Sequence, residues 1–505
     1  MLAAALEAKD RPLARCGIEL IVSARVDFEG ATMKRITILC AALGLFTTLA
    51  SAQIATTSAP SYANPTRRAT RYVITDFGAV GDGKTVNTKA IQAAIDKCAS
   101  TSKGGVLVVP KGTFLSGAIF LKQGVNLLLE KDAVLKGTTN PDDYPQVQTR
   151  WEGTEEMWTS AFVNAFNVTD LIISGEGTID GSGEEWLQKN PYRPPPTPAP
   201  GEAAATVPTP APPPPAAAPP TGPRRGRPRL VAIQNAKNVL ISGVNLHNQA
   251  VWCLFILYRQ NVEVDGVNIT AEHNIPSADG MDIDSSRHVH VNHISIDTND
   301  DCISIKSGKD ADGLRVNRPA EDILIENSHF GNGGSGVDMG SETSGGIRNV
   351  VIQNSVMDSG NSAPIRFKTT PSRGGVVENI TYRNLIMHGV RQAIDINMDW
   401  KNRAMARRPT PPPANPLPVF RNVRIINVSG DAQSVGVING LADSPVQDIT
   451  FEKCNITANT GLRISHARDI DLTGLTLDVK DGEAVTKTEI GRASCRDRVS
   501  LSVVA

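Results

Sequence analysis

Aromatic residues are scarce, at 5% of the 505-residue chain, and formal charge nearly cancels, with 51 Lys and Arg against 52 Asp and Glu. The first scarcity argues against a nucleic-acid surface built on base stacking, and the second leaves no basic footprint for a phosphate backbone. Any anionic partner must therefore be met by a few local cations. No apolar run is long enough to span a bilayer, because residues 36–49 fall short of the roughly 20 that a helix needs. The seven cysteines are dispersed and lack CxxC spacing, so neither a disulfide scaffold nor a zinc site is expected, and no cofactor is implied. Cys98, Cys253, Cys302 and Cys454 are expected to be mainly buried small hydrophobes, with one or two disulfides open to them after export.

Both ends read differently from the stretch between them. Met33-Lys34-Arg35, the apolar stretch 36–49 and the small residues Ala50-Ser51-Ala52 have the order of a secretory signal peptide over 33–52. Residues 1–32 then read as an upstream leader and 53–69 as a flexible linker. The tail 489–505 contains EIGRASCRDRVSLSV, which resembles a translated sequencing adapter. A globular region over 70–488 is expected, in a secreted or periplasmic protein that acts as a monomer.

What the chain does have is a recurring phrase. TDLIISGEGTI, KNVLISGVNL, QNVEVDGVNI, RHVHVNHISI, EDILIENSHF, RNVVIQNSVM, ENITYRNLIM, RNVRIINVSG, QDITFEKCNI and RDIDLTGLTL begin their apolar alternation at Leu171, Val239, Val262, Val289, Ile323, Val350, Ile380, Val423, Ile449 and Ile470. Period-two alternation within a phrase predicts a strand, and a recurring spacing in the twenties predicts a solenoid. No phrase buries its apolar face alone, so coils must stack and share one core. An all-β fold is predicted: a single right-handed parallel β-helix. TKAIQAAIDKCA over Thr88–Ala99 has apolar residues at 91, 94, 95 and 98, a short helix able to cap the open N-terminal end. The Pro/Ala-rich stretch 193–228 is predicted to loop out between coils, and 407–418 forms a second Pro-rich loop.

Three carboxylates stand out against this frame. Asp279 lies in SADGMDID, and Asp300-Asp301 in TNDDCISIKSG, 21 residues further on, which is about one coil. Stacked coils lie roughly 4.8 Å apart, so the three acids should share one surface. Clustered carboxylates repel, and the cluster is costly unless a proton, a metal or a function offsets it. Glycoside hydrolysis uses such a cluster, with one carboxyl protonated as acid and another ionised to activate water. Asp also serves solenoid turns as a backbone acceptor, so the pair alone would read as a turn. In IRFKT, Arg366 and Lys368 project from one face of a strand while Ile365 and Phe367 point inward. Two such cations suit a sugar that bears a carboxylate.

With these residues in hand, the chain resembles glycoside hydrolase family 28, the polygalacturonases and related pectin hydrolases, over residues 72–477. TDFGAVGDGKTVNTKAIQAAID and GTIDGSGEEW are similar to family signatures. The family's Asn-Thr-Asp, Asp-Asp and Arg-Ile-Lys motifs fall on Ser277-Ala278-Asp279, Asp300-Asp301 and Arg366-Phe367-Lys368. The resemblance implies that Asp300 is the general acid and that Asp279 and Asp301 activate water, with inversion at the anomeric carbon. It also implies that Arg366 and Lys368 grip the carboxylate of an acidic plant cell-wall polysaccharide such as pectin, polygalacturonate or rhamnogalacturonan. Two departures stand out. Ser-Ala replaces Asn-Thr, and GNGGSGVDMGSETSGG has no histidine where the family carries one, at Gly334 or Ser335. A polysaccharide lyase and a non-catalytic pectin-binding solenoid therefore remain alternatives.

Overall fold

The structure, a computed structural model, describes residues 69–189, 226–358, 360–401 and 411–488, together with the two-residue strand Ser500–Leu501. The expected leader, signal peptide, most of the linker, most of the 193–228 insertion and most of the 489–505 tail lie outside the described residues. Helix α1 (Thr88–Ala99) buries Ile91, Ala94, Ile95 and Cys98 against the first coils, the four positions of its apolar stripe.

Among the described residues, thirty-two strands bond in parallel into one continuous sheet that climbs as a right-handed parallel β-helix. A coil is three strands and three bends. Arg229–Gln234, Lys237–Ser242 and Asn245–His247 each pair with their counterparts in the next coil, Val251–Leu257, Gln260–Asp265 and Asn268–Thr270. The first apolar residues of the ten repeat phrases are register partners throughout, from Leu171↔Val239 to Ile449↔Ile470. One apolar core runs the length of the stack and includes all four described cysteines, each a free thiol.

The residue before each of those apolar positions turns the corner. Asp170, Asn238, Asn261, His288, Asp322, Asn349, Asn379, Asn422, Asp448 and Asp469 all have φ between 52° and 60°. Asn and Asp tolerate this left-handed conformation because their short polar side chains bond locally. Here they also bond along the axis. Asn238 donates to Asp170 (2.8 Å), Asn261 to Asn238 (2.9 Å), Asn349 to Asp322 (2.9 Å), Asn379 to Asn349 (3.0 Å) and Asn422 to Asn379 (2.7 Å).

One face of the helix carries the polar residues of interest. Its strands are β3 (Arg229–Gln234), β4 (Val251–Leu257), β5 (Met281–Asp284), β6 (Ile303–Lys306), β7 (Val337–Gly340), β8 (Ile365–Lys368) and β9 (Val376–Asn397). An antiparallel hairpin precedes them in sequence, β1 (Gln146–Trp151) and β2 (Thr154–Thr159).

Candidate active site

Asp279 stands just before β5, and Asp300 and Asp301 just before β6. Parallel pairing brings them together, with the Gly280 N–H donating to the Asp301 carbonyl at 2.9 Å. The inward positions Met281, Ile303, Val337 and Ile365 stack in the core. The intervening positions line up as an outward row, Asp282, Ser304, Asp338, Arg366 and Asp395. The one-coil offset and the common face of Arg366 and Lys368 thus appear as the spacing predicts.

Asp301 is buried and held at both oxygens. Oδ2 accepts from Lys368 Nζ at 2.5 Å and Oδ1 from Ser335 Oγ at 2.7 Å, with Arg366 Nη1 3.8 Å from Oδ1. Burial alone would raise its pKa, but Lys368, Arg366 and Lys306 outweigh burial and hold Asp301 well below the usual carboxylate range. Asp300 is half-buried, and its Oδ1 accepts from the Asp301 N–H at 3.0 Å. Burial and the neighbouring Asp301 charge push Asp300 up. Asp279, buried, is pushed up further by burial and by Asp282 and Asp300. The trio is thus electrostatically split, one member ionised and two drawn toward the protonated form, as adjacent carboxyls of a hydrolase site are.

The cations are not equivalent. Lys368 is buried, with Asp338 Oδ2 at 2.8 Å as well as Asp301, so its ammonium is already engaged by two carboxylates. Arg366 is half-buried, donates to the Gly334 carbonyl at 3.1 Å and lies 3.2 Å from Asp395, and keeps N–H groups to spare. The expectation that both cations grip a substrate carboxylate therefore falls unevenly on them. His329 pairs with Asp358 and has no part in the site.

Several residues here were not singled out from sequence. Asp282 and Asp338 are buried and pushed up to about 7 by burial, against the pull of Lys306 and Lys368 respectively. Lys306 lies 3.2 Å from Glu342 and 3.5 Å from Asp282. The β1–β2 hairpin was missed too. Trp151 stacks on Trp158 (4.5 Å) and on Trp252 of β4 (4.8 Å), and the Arg229 guanidinium sits 3.9 Å over the Phe255 ring. Arg150 bonds to Asp284 at 2.6 Å, both buried, and Lys309 N–H donates to the Gly153 carbonyl at 3.0 Å. The hairpin thus roofs the outer face over β3, β4 and β5. Its signal was Glu152-Gly153 between alternating strands, both with φ above zero, as a two-residue hairpin turn requires.

Among the described residues no group of three or more His, Cys, Asp or Glu side chains is set to hold a metal ion, and no helix is long and apolar enough to cross a membrane. The profile of Glycosyl hydrolases family 28 matches residues 218–475, and that of Rhamnogalacturonase A/epimerase, pectate lyase-like, matches residues 71–181. A Probable polygalacturonase of Vitis vinifera is 30% identical over 340 residues, covering 66% of this chain and 63% of the relative. An Exo-poly-alpha-D-galacturonosidase of Dickeya chrysanthemi is 29% identical over 349 residues, covering 65% and 57%. The chain therefore spans less than two thirds of the length of either. The crystal structure of a hyperthermoactive Exopolygalacturonase from Thermotoga maritima superposes with a TM-score of 0.65 at 28% identity, covering 83% of this chain and 91% of that one.

Proposed function

Because the chain belongs to the glycosyl hydrolases of family 28, we propose that it is an exported hydrolase of galacturonic-acid-containing polysaccharide, cutting from a chain end with inversion. The observation that carries this reading is the electrostatic split at one surface. Asp300, half-exposed and pushed up, is suited to protonate the leaving glycosidic oxygen. Asp301, kept ionised by Lys368, is suited to polarise the attacking water, with Asp279 beside it to orient that water. Attack by water on the face opposite the leaving group inverts the anomeric carbon. Arg366, the cation with N–H groups to spare, is suited to bidentate contact with a sugar carboxylate.

Chain-end cutting is supported by the hairpin. On the N-terminal side of the acids the outer face is filled by Trp151, Trp252 and Arg229, while the cations lie on the C-terminal side. A polymer laid along this face would meet the hairpin on the N-terminal side of the acids. Export is supported by the signal peptide expected at 33–52. The test is to incubate residues 53–488 with polygalacturonate and size the earliest products. Monomer or dimer with a new reducing end and no ultraviolet-absorbing unsaturated sugar is expected. A ladder of long oligomers would overturn chain-end cutting, and unsaturated products would overturn hydrolysis. Asp300→Asn is expected to lower kcat about 10²–10⁴-fold, and unchanged turnover would overturn the acid assignment.

A further inference from the structure

We propose that Ser335 is a positioning residue for this reaction, its hydroxyl fixing the orientation of the Asp301 carboxylate opposite Lys368. The inference rests on the reading above, in which Asp301 activates water. A carboxylate bonded on one side only can still swing, because rotation about its terminal bond is soft. The Lys368 ammonium is a point charge on a flexible stem, so it keeps Asp301 ionised without fixing its plane. Ser335 Oγ, fully buried and 2.7 Å from Oδ1, supplies the second fixed point. With one donor on each oxygen, the remaining lone pairs are aimed in a set direction.

The segment that carries Ser335 is built for this. The Gly334 N–H donates to the Asp300 carbonyl at 3.0 Å, and the Ser335 carbonyl accepts from the Cys302 N–H at 2.9 Å. The Gly334 carbonyl accepts from Arg366 at 3.1 Å. Gly334 and Ser335 thus tie the backbone of the acid, the side chain of the base and the substrate-facing cation into one frame. Position 334 cannot share the task. A Cβ there would lie 3.1 Å from Asp300 Oδ1 and 3.2 Å from Asp301 Oδ1, closer than ordinary contact, so a side chain at 334 would press on both acids rather than reach around to hold one. In a segment without histidine, the hydroxyl at 335 is the side-chain group left to orient Asp301.

The experiment compares Ser335→Ala, Ser335→Thr and Asp301→Asn on polygalacturonate, with thermal unfolding of each. Ser335→Ala is expected to lower kcat about ten- to hundred-fold while KM stays within about twofold, since misplacement of a reacting group costs turnover rather than binding. Ser335→Thr, which keeps the hydroxyl, is expected to recover most of the loss. If Ser335→Ala does not fold, Ser335→Cys, a weak donor of similar size, carries the same expectation. A kcat within twofold of the parent in the folded, hydroxyl-free variant would overturn the inference. Should Asp301→Asn retain activity, the water-activating role itself falls. If Asp301→Asn is inactive and Ser335→Ala is not, only the Ser335 role falls.

Discussion

Lys368 shows how one buried side chain can hold two carboxylates at once. Its ammonium lies between Asp301 and Asp338, and removing it strands two carboxylates in a buried site. Lys368→Met is expected to cost about 3–5 kcal/mol, the usual result of breaking a buried ion pair on one side, read as a drop in Tm together with loss of activity. Arg366→Gln is expected to behave differently. The half-buried guanidinium touches Asp395 and the Gly334 carbonyl, and the buried Asp301 near it keeps Lys368 as a partner, so Tm should hold while KM for polygalacturonate rises about tenfold or more. The clustering of Asp279, Asp300 and Asp301 was legible in the sequence because their one-coil offset is itself a geometric statement. The bond from Ser335 to Asp301, and the burial of Lys306, Asp282 and Asp338, were not. ISIK and VDMG alternate as any half-exposed strand does, and only the packing of the folded chain reveals that their polar side chains are buried.

At the scale of the element, the corner residues set the register that the repeat phrases announce. Each stands in a left-handed conformation that costs most side chains about 1–2 kcal/mol. Asn349→Ala places a methyl group there and also removes the axial bonds to Asp322 and Asn379, so a loss of about 2 kcal/mol is expected, seen as a lower Tm. Asn349→Gly keeps the backbone at ease and should lose less. The phrases fixed strand order and pairing in advance because a period of two and a recurring spacing admit few alternatives. The hairpin escaped because it belongs to no phrase. It is an insertion whose strands pair with each other, and its contacts with Asp284 and Trp252 are more than a hundred residues away in the sequence. Replacing Gln148–Met157 with a short Gly-Ser turn should lengthen the earliest products, as measured by their size distribution.

For the whole molecule, the buried charges set a window of pH. Asp282 and Asp338, at about 7, bind protons more tightly folded than unfolded, so the stability they contribute is complete below about pH 4 and is lost as pH rises through 7. His290, raised by its bonds to Glu263 and Glu326, acts in the same sense, losing its contribution as pH climbs above about 6.5. Glu342 works oppositely. Burial would raise it, but Lys306 and Arg373 hold it at about 2, so its contribution is present above about pH 4.5 and lost as pH falls toward 2. Tm is therefore expected to peak in mild acid, near pH 5, and to fall on both sides. Asp282→Asn should flatten the alkaline limb of a Tm-against-pH curve.

If the roof over β3 to β5 ends the groove, as we propose, it changes what such an enzyme counts. A catalyst whose groove stops dead senses termini rather than mass. At equal weight of polymer, the initial rate should scale with the number of chains, so shearing the substrate before the assay raises it and lengthening the chains lowers it. By the same logic, one chemical block on the last sugar shelters every sugar behind it.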